Sequence, residues 1–258
     1  MDLQLKDRLF IVGGATAGFG GAIARALIFE GAKIIAIARN ADKLSELKNR
    51  FPGHVEILAA DITQPATIPL ILEMIGNRNL DGLLVNAGGP PAKSFLETTM
   101  EDWDTGYASV LRWKIDLVKA LLPGFRSQQY GRIAFVESIS VKQPVENLVL
   151  SNSLRMAVVG FVKTLSQEVA KEGITLNILA PGYHDTDAVK RVIKKKSEVL
   201  GMDYEVVQQQ FAKSIPVGRM GTPGEFASLA VWLLSPVSGY VTGQTISVDG
   251  GVMMGSFG

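Results

Sequence analysis

The sequence predicts an α/β fold: a doubly wound, mostly parallel sheet of about seven strands in a single domain over 1–258. Short apolar runs alternate with amphipathic stretches from end to end, the pattern of repeated βαβ units. Such a sheet is covered by helices on both faces. No Pro/Gly/Ser-rich linker, repeat or low-complexity tract divides the chain, and 258 residues suit one domain with an ample core.

The elements follow in order. The run Leu9-Phe10-Ile11-Val12 reads as the first strand, and a helix over 20–30 follows its glycine turn. The isoleucine-rich run 33–38 gives the second strand, with a helix over 41–51 behind it. A third strand at 55–59 precedes a helix over 66–76, and a fourth at 82–85 precedes a long helix over 101–126. The fifth strand, 132–136, precedes a helix over 153–172. There, apolar residues recur at helical spacing (Leu154, Val158, Phe161, Val162, Leu165, Val169), and Gly173 offers a C-cap. A sixth strand at 175–179, a helix over 223–234 and a last strand at 244–248 complete the sheet.

Residues 186–216 break this rhythm with a polar, partly helical insertion. It carries Lys190, Arg191, Lys194, Lys195 and Lys196. Ligands of a doubly wound sheet bind outside the carboxyl ends of the strands, so an insertion after the sixth strand would hang over that edge as a lid. Its cations read first as a solvated helix face. The sharper reading is a docking patch for an acidic carrier or a phosphorylated substrate.

Composition excludes several classes. Hydrophobic residues at 47% and charged residues at 20% are globular values, and a net charge of +1 provides no global field for nucleic acid or acidic lipid. The absence of cysteine removes disulfides, thiolate metal sites and thiol nucleophiles. Two histidines, His54 and His184, rule out a His-rich metal site. The first eight residues are polar, and no run reaches the length of a membrane span. A soluble, cytoplasmic protein with no metal and no nucleic-acid or membrane partner is expected.

The stretch Phe10-Ile11-Val12-Gly13-Gly14-Ala15-Thr16-Ala17-Gly18-Phe19-Gly20 places Gly14-x-x-x-Gly18-x-Gly20 at the first strand–helix junction. Glycines there let the backbone approach a pyrophosphate, and the following helix N-terminus presents unpaired N–H groups. Asn86-Ala87-Gly88 follows the fourth strand, and Ala60-Asp61-Ile62 follows the third. Pro181-Gly182-Tyr183-His184-Asp185-Thr186 follows the sixth, and the last ends in Ser247-Val248-Asp249-Gly250-Gly251. With these five ordered motifs, the chain resembles the short-chain dehydrogenase/reductase family over essentially its whole length. In a general way it looks like the 3-oxoacyl-carrier-protein reductase-like branch. The resemblance implies a Rossmann-type sheet. It implies a dinucleotide site formed by Gly14, Thr16, Gly18, Phe19, Gly20, Asp61, Ile62, Asn86, Ala87, Gly88, Pro181, Gly182 and Thr186. It also implies a homotetramer or homodimer built through helices 101–126 and 153–172.

Cofactor choice follows from charge at the end of the second strand. The acid that would hold the ribose hydroxyls of NAD is replaced by Ala38, and Arg39 can fork onto a 2′-phosphate. NADP(H) is expected. The alternative is that Arg39 stacks on adenine and NAD(H) is accepted.

The resemblance also implies a catalytic set, from which this chain departs. The family serine at the end of the fifth strand matches Ser138. The family tyrosine falls at Ser151, the lysine one helical turn later at Arg155, and the asparagine of the preceding long helix at Val110. A serine hydroxyl is a far weaker acid than a phenol, which titrates near about 10. Its oxygen also sits closer to the backbone. Arg155 can hold ribose hydroxyls and favour nearby negative charge, but it does not exchange protons, and its fork suits a carboxylate or phosphate. Val110 removes a water anchor. His184 is the best substitute proton donor, because imidazole titrates near working pH, and Tyr183 is the second. Glu137 is expected to pair with a cation such as Arg155.

Two functions from different classes follow. One is an NADP(H)-dependent oxidoreductase acting on a small-molecule carbonyl or alcohol. The other is an NADP(H)-binding sensor or oligomer partner with little turnover. Lyase- or dehalogenase-type relatives retain the tyrosine and often lose the nucleotide loop, the opposite of this chain, and rank last.

Overall fold

The computed structural model describes residues 1–256, apart from the side chains of Ala188, Lys195 and Val199. The Lys195 side chain of the insertion and the last two residues of the expected domain therefore lie outside the described residues.

Seven strands form: β1 (Leu9–Gly13), β2 (Lys33–Ala38), β3 (Val55–Ala59), β4 (Gly82–Val85), β5 (Gly131–Val136), β6 (Ile174–Pro181) and β7 (Thr245–Val248). All pair in parallel in one sheet of order β3-β2-β1-β4-β5-β6-β7. Between them run α1 (Gly18–Phe29), α2 (Ala41–Arg50), α3 (Thr67–Ile75), α4 (Met100–Gly106), α5 (Trp113–Ser127), α6 (Val149–Val169), α7 (Asp187–Leu200), α8 (Tyr204–Lys213) and α9 (Pro223–Leu234).

The period-two alternation of strand side chains divides the sheet's residues between two cores. Phe10, Val12, Ile34 and Ala36 pack with α1 and α9 on one face. Ile11, Ile35, Ile37 and Leu83 pack with α3, α5 and α6 on the other. Register keeps like with like, pairing Phe10 with Ile34 and Val12 with Ala36. The strand order reverses where β1 lies between β2 and β4. A crevice opens at that switch point, outside the strand carboxyl ends.

Two elements differ from expectation in ways that shape the site. The long helix expected over 101–126 is interrupted by a π-helical turn, Tyr107–Arg112, between α4 and α5. Side-chain donors occupy main-chain carbonyls in this turn: Ser109 Oγ donates to Thr105 O at 2.8 Å, and Trp113 Nε1 donates to Ser109 O at 2.9 Å. Such competition loosens the regular ladder. Val110, in this turn, and Lys114, just beyond it, are both buried.

α6 begins at Val149 rather than 153. The Asn152 side chain clasps Val145, accepting from its N–H at 3.2 Å and donating to its carbonyl at 2.9 Å. This puts Ser151 and Arg155 on consecutive turns of one helix. The end of that helix tightens into a 3₁₀ turn (Ala170–Glu172), closed by Gly173 in the left-handed region as expected.

The 186–216 insertion folds as α7 and α8, with no strand among the described residues. Thr186 caps α7 through Val189 N–H, and Ile193 and Val207 anchor the pair inward. Among the described residues, no helix is long and apolar enough to cross a membrane. No cluster of His, Asp and Glu able to hold a metal occurs among the described residues.

Candidate active site

The crevice is built on the first strand–helix turn. Gly14 and Gly18 adopt φ of +65° and +53°, which favours glycine. A Cβ on Gly20 would overlap the Gly14 carbonyl, so the turn closes this tightly only with glycine there. α1 has no side-chain cap and no acid in its first turn, leaving N–H groups free at its N-terminus. Asn86 Nδ2 donates to Gly13 O at 3.0 Å, tying the loop after β4 to this turn. Asp61 Oδ1 accepts from Thr63 N–H at 3.0 Å and from its hydroxyl at 2.8 Å, which fixes the loop after β3.

A space of about 550 Å³ runs from Gly14 and Thr16 past Arg39, Asp61 and Ile62 to Asn86, Ala87, Gly88 and Gly89. It shares Gly14, Ala17, Asn86, Ala87 and Gly88 with a second space of about 570 Å³, so the two are continuous. Phe19, Gly18, Thr186, Lys190 and Arg191 line that second part. Arg39 is exposed at the end of β2, with no acid beside it at Ala38. Gly20 supports the crevice from below. Pro181 ends β6, and Gly182 N–H donates to Val248 O at 3.0 Å; neither lines the two spaces. Lys190 and Arg191 of the insertion line this crevice, a placement that helix-face reasoning alone missed.

Next to it, at Gly89, lies the corner where the sequence places the catalytic set. Ser138 Oγ accepts from Ser140 N–H at 3.1 Å, which leaves its own O–H free to donate. Ser151 Oγ accepts from Arg155 Nε at 3.1 Å. Arg155 Nη1 donates to Glu137 Oε2 at 2.7 Å, the expected pairing. The other carboxylate oxygen of Glu137 accepts from Lys114 Nζ. Glu137 has no solvent contact, and Lys114 keeps only 4% of its side-chain surface. Burial pushes the Lys114 amine below its ordinary pKa. Glu137 opposes that shift, and Arg155 adds to it.

Lys114 was not singled out from the sequence, although a signal existed. It sits in register with Leu117, Val118 and Leu121, so a cation interrupts the buried stripe of α5.

His184 requires a correction as the expected proton donor. It is 2% exposed and lines neither part of the crevice. Its ring meets Phe19 and Phe226 edge-on, with centroids 5.1 and 5.5 Å away. Nδ1 lies 3.2 Å from Gly182 O, and the ring fills the space a side chain at Gly221 would need. Burial lowers its pKa, so the ring is neutral at physiological pH. The ring packs in an apolar interior with one nitrogen satisfied locally. Tyr183 packs edge-on against Phe211 of α8 at 5.4 Å.

The family model described as enoyl-(acyl carrier protein) reductase matches residues 14–253. The 3-oxoacyl-[acyl-carrier-protein] reductase FabG of Vibrio cholerae is 30% identical, over 98% of this chain and 100% of its own length. The NADPH-dependent reductase BacG of Bacillus subtilis is 28% identical, over 96% of this chain and 99% of its own. The L-sorbose reductase of Gluconobacter frateurii, solved in complex with NADPH and L-sorbose, superimposes with a TM-score of 0.93 at 29% identity. That match covers 99% of this chain and 100% of the other. The chain belongs to the short-chain dehydrogenase/reductase family of oxidoreductases, in its 3-oxoacyl-carrier-protein reductase-like branch.

Proposed function

We propose that the protein is an NADP(H)-dependent oxidoreductase acting on a carbonyl or alcohol, with Ser151 and Arg155 in place of the usual Tyr and Lys. One observation carries this reading: a single crevice runs from Arg39 through the glycine turn to the loop beside Arg155. The residues present fit the cofactor. The uncapped N-terminus of α1 suits a pyrophosphate, and Arg39 without a neighbouring acid suits a 2′-phosphate. Asp61 and Ile62 would bound the adenine, and Asn86, Ala87 and Gly88 the central part. Thr186, in the loop after Pro181 and Gly182, would meet the nicotinamide end. The NADPH-dependent relatives support the same choice. When bound, the cofactor supplies the hydride.

The chain's own residues position and polarise. Ser138 donates its hydroxyl to the substrate oxygen, backed by the Ser140 N–H. The permanent charge of Arg155 favours the negative charge that develops there. Ser151 seats the guanidinium, accepting from Arg155 Nε, rather than giving a proton, because an aliphatic hydroxyl is a far weaker acid than a phenol. With His184 in the interior, water supplies the proton. The insertion over 186–216 acts as a lid, a role supported by Thr186, Lys190 and Arg191 lining the crevice. Assembly as a homotetramer or homodimer completes the reading.

Cofactor binding with little turnover is the second reading, favoured by a serine at 151, a far weaker acid than a phenol. Calorimetric titration with NADPH and with NADH, followed by a carbonyl screen, separates the two. Tight NADPH binding with NADPH consumption that Ser138→Ala reduces about 100-fold or more supports the first. Binding without any consumption supports the second, and no binding overturns both.

A further inference from the structure

The corner beside the crevice buries two cations against one carboxylate. Lys114 and Arg155 both pair with Glu137, and no other acid joins them among the described residues. Arg155 Nε is taken by Ser151 and Nη1 by Glu137. The remaining arm, Nη2, has no hydrogen-bond partner among the described residues. It points at Gly89, where an added Cβ would stand 2.9 Å from it. Gly89 lines the crevice, so the free arm reaches the crevice only because this residue has no side chain. The Arg155 side chain is otherwise about nine-tenths buried, with 10% of its surface left.

From this arrangement we infer that the corner is an anion subsite and that the substrate bears a carboxylate near its reacting carbon, as an oxo acid or the corresponding hydroxy acid. The inference rests on the oxidoreductase reading above and specifies its substrate class. A charge buried without compensation is costly, and a carboxylate balances the second cation where a neutral hydroxyl would not. A guanidinium arm with two free hydrogens and a fixed direction suits a carboxylate oxygen. In the reduction, hydride from NADPH forms the new C–H bond and the carbonyl π bond opens onto its oxygen. A proton from water completes the alcohol, and the carboxylate is unchanged.

Unreactive probes test this independently of turnover. The protein is titrated with oxamate, with its neutral counterpart oxamide and with inorganic phosphate, both with and without NADPH. Oxamate is expected to bind at least tenfold more tightly than oxamide. Arg155→Gln should abolish that preference. Gly89→Ala, in an exposed loop, should weaken oxamate binding at least fivefold even if the arginine variant does not fold. Equal affinities for oxamate and oxamide overturn the inference. Phosphate binding tighter than oxamate overturns the carboxylate assignment. An oxamate preference in protein that binds no NADPH supports the anion subsite while overturning the cofactor reading, so the two failures are distinct.

Discussion

Glu137→Ala is the perturbation that most directly tests the buried corner. It leaves Lys114 and Arg155 as neighbouring cations with no carboxylate, at 4% and 10% side-chain exposure. Breaking a buried pair by removing one partner costs about 3–5 kcal/mol, and here one carboxylate serves two partners. In a chain of this size each kcal/mol moves Tm by about 2–4 °C, so the variant should melt roughly 6–20 °C lower. Lys114→Met removes a cation while Arg155 still holds Glu137, and a flexible apolar chain fills the same space. That change strands one buried oxygen of Glu137 and should cost about 1–3 kcal/mol, less than Glu137→Ala. The double variant should recover part of the Glu137→Ala loss, because one of the two stranded charges is gone. Thermal unfolding followed by circular dichroism at fixed protein concentration reads all three. A Glu137→Ala protein as stable as the parent, or a Lys114→Met protein as damaged as Glu137→Ala, would refute the reasoning. The pH slope provides a second check. With the folded Lys114 pKa depressed, the unfolded chain binds more protons below the ordinary lysine value of about 10.4. Stability should therefore rise as pH rises through that window, and Lys114→Met should flatten the slope.

Other perturbations read other parts of the molecule. Arg39→Ser should weaken NADPH by about 10- to 100-fold while leaving NADH little changed, because only the 2′-phosphate loses a charged donor worth about 1.5–3 kcal/mol. Calorimetry with both cofactors checks it. Gly20→Ala forces a Cβ against the Gly14 carbonyl and should destabilise the fold by about 1–3 kcal/mol, as measured by urea unfolding, and remove measurable NADPH binding. His184→Ala opens a cavity between Phe19 and Phe226 and should cost about 2 kcal/mol or more. Because burial lowers the His184 pKa, the unfolded chain binds the extra proton below about pH 6.5. Stability of the parent should fall on acidification through that range, and the alanine variant should lose this component while its pH–rate profile stays unchanged.

The part of the crevice proposed to hold the nucleotide was legible in the sequence because local motifs mark it. Gly14, Gly18 and Asn86 act through conformation, close approach and a main-chain hydrogen bond, and each leaves a local motif. The corner beside the crevice was legible at Ser138, Glu137, Ser151 and Arg155 but not at Lys114. Lys114 reaches Glu137 from another helix, 23 residues earlier in the chain, and no local motif records that meeting. His184 stands in a loop that suggested chemistry, yet its neighbours Phe19 and Phe226 come from α1 and α9. Tertiary burial, invisible to spacing, decided its role. The π turn at Tyr107–Arg112 was hidden for the opposite reason. It arises from hydroxyl and indole donors whose effect on the ladder is too local for hydrophobic periodicity to register.

Arginine at 155 makes the rest of the corner necessary. A lysine there could shed its proton when buried, but a guanidinium keeps its charge and must be answered by an acid. Glu137 answers it with one oxygen, and the second oxygen, equally buried, requires a donor of its own, which Lys114 supplies. Ser151 is small enough to leave the guanidinium its place and polar enough to accept from Nε. A phenol at 151 would compete with Arg155 for the same buried space. Restoring tyrosine and lysine at 151 and 155 would therefore not restore the usual proton transfer. The new lysine would be drawn to Glu137 instead of the phenol, and Lys114 would lose part of its counter-charge. Positions 114, 137, 151 and 155 form one electrostatic unit, so replacing two of them leaves the other two mispaired.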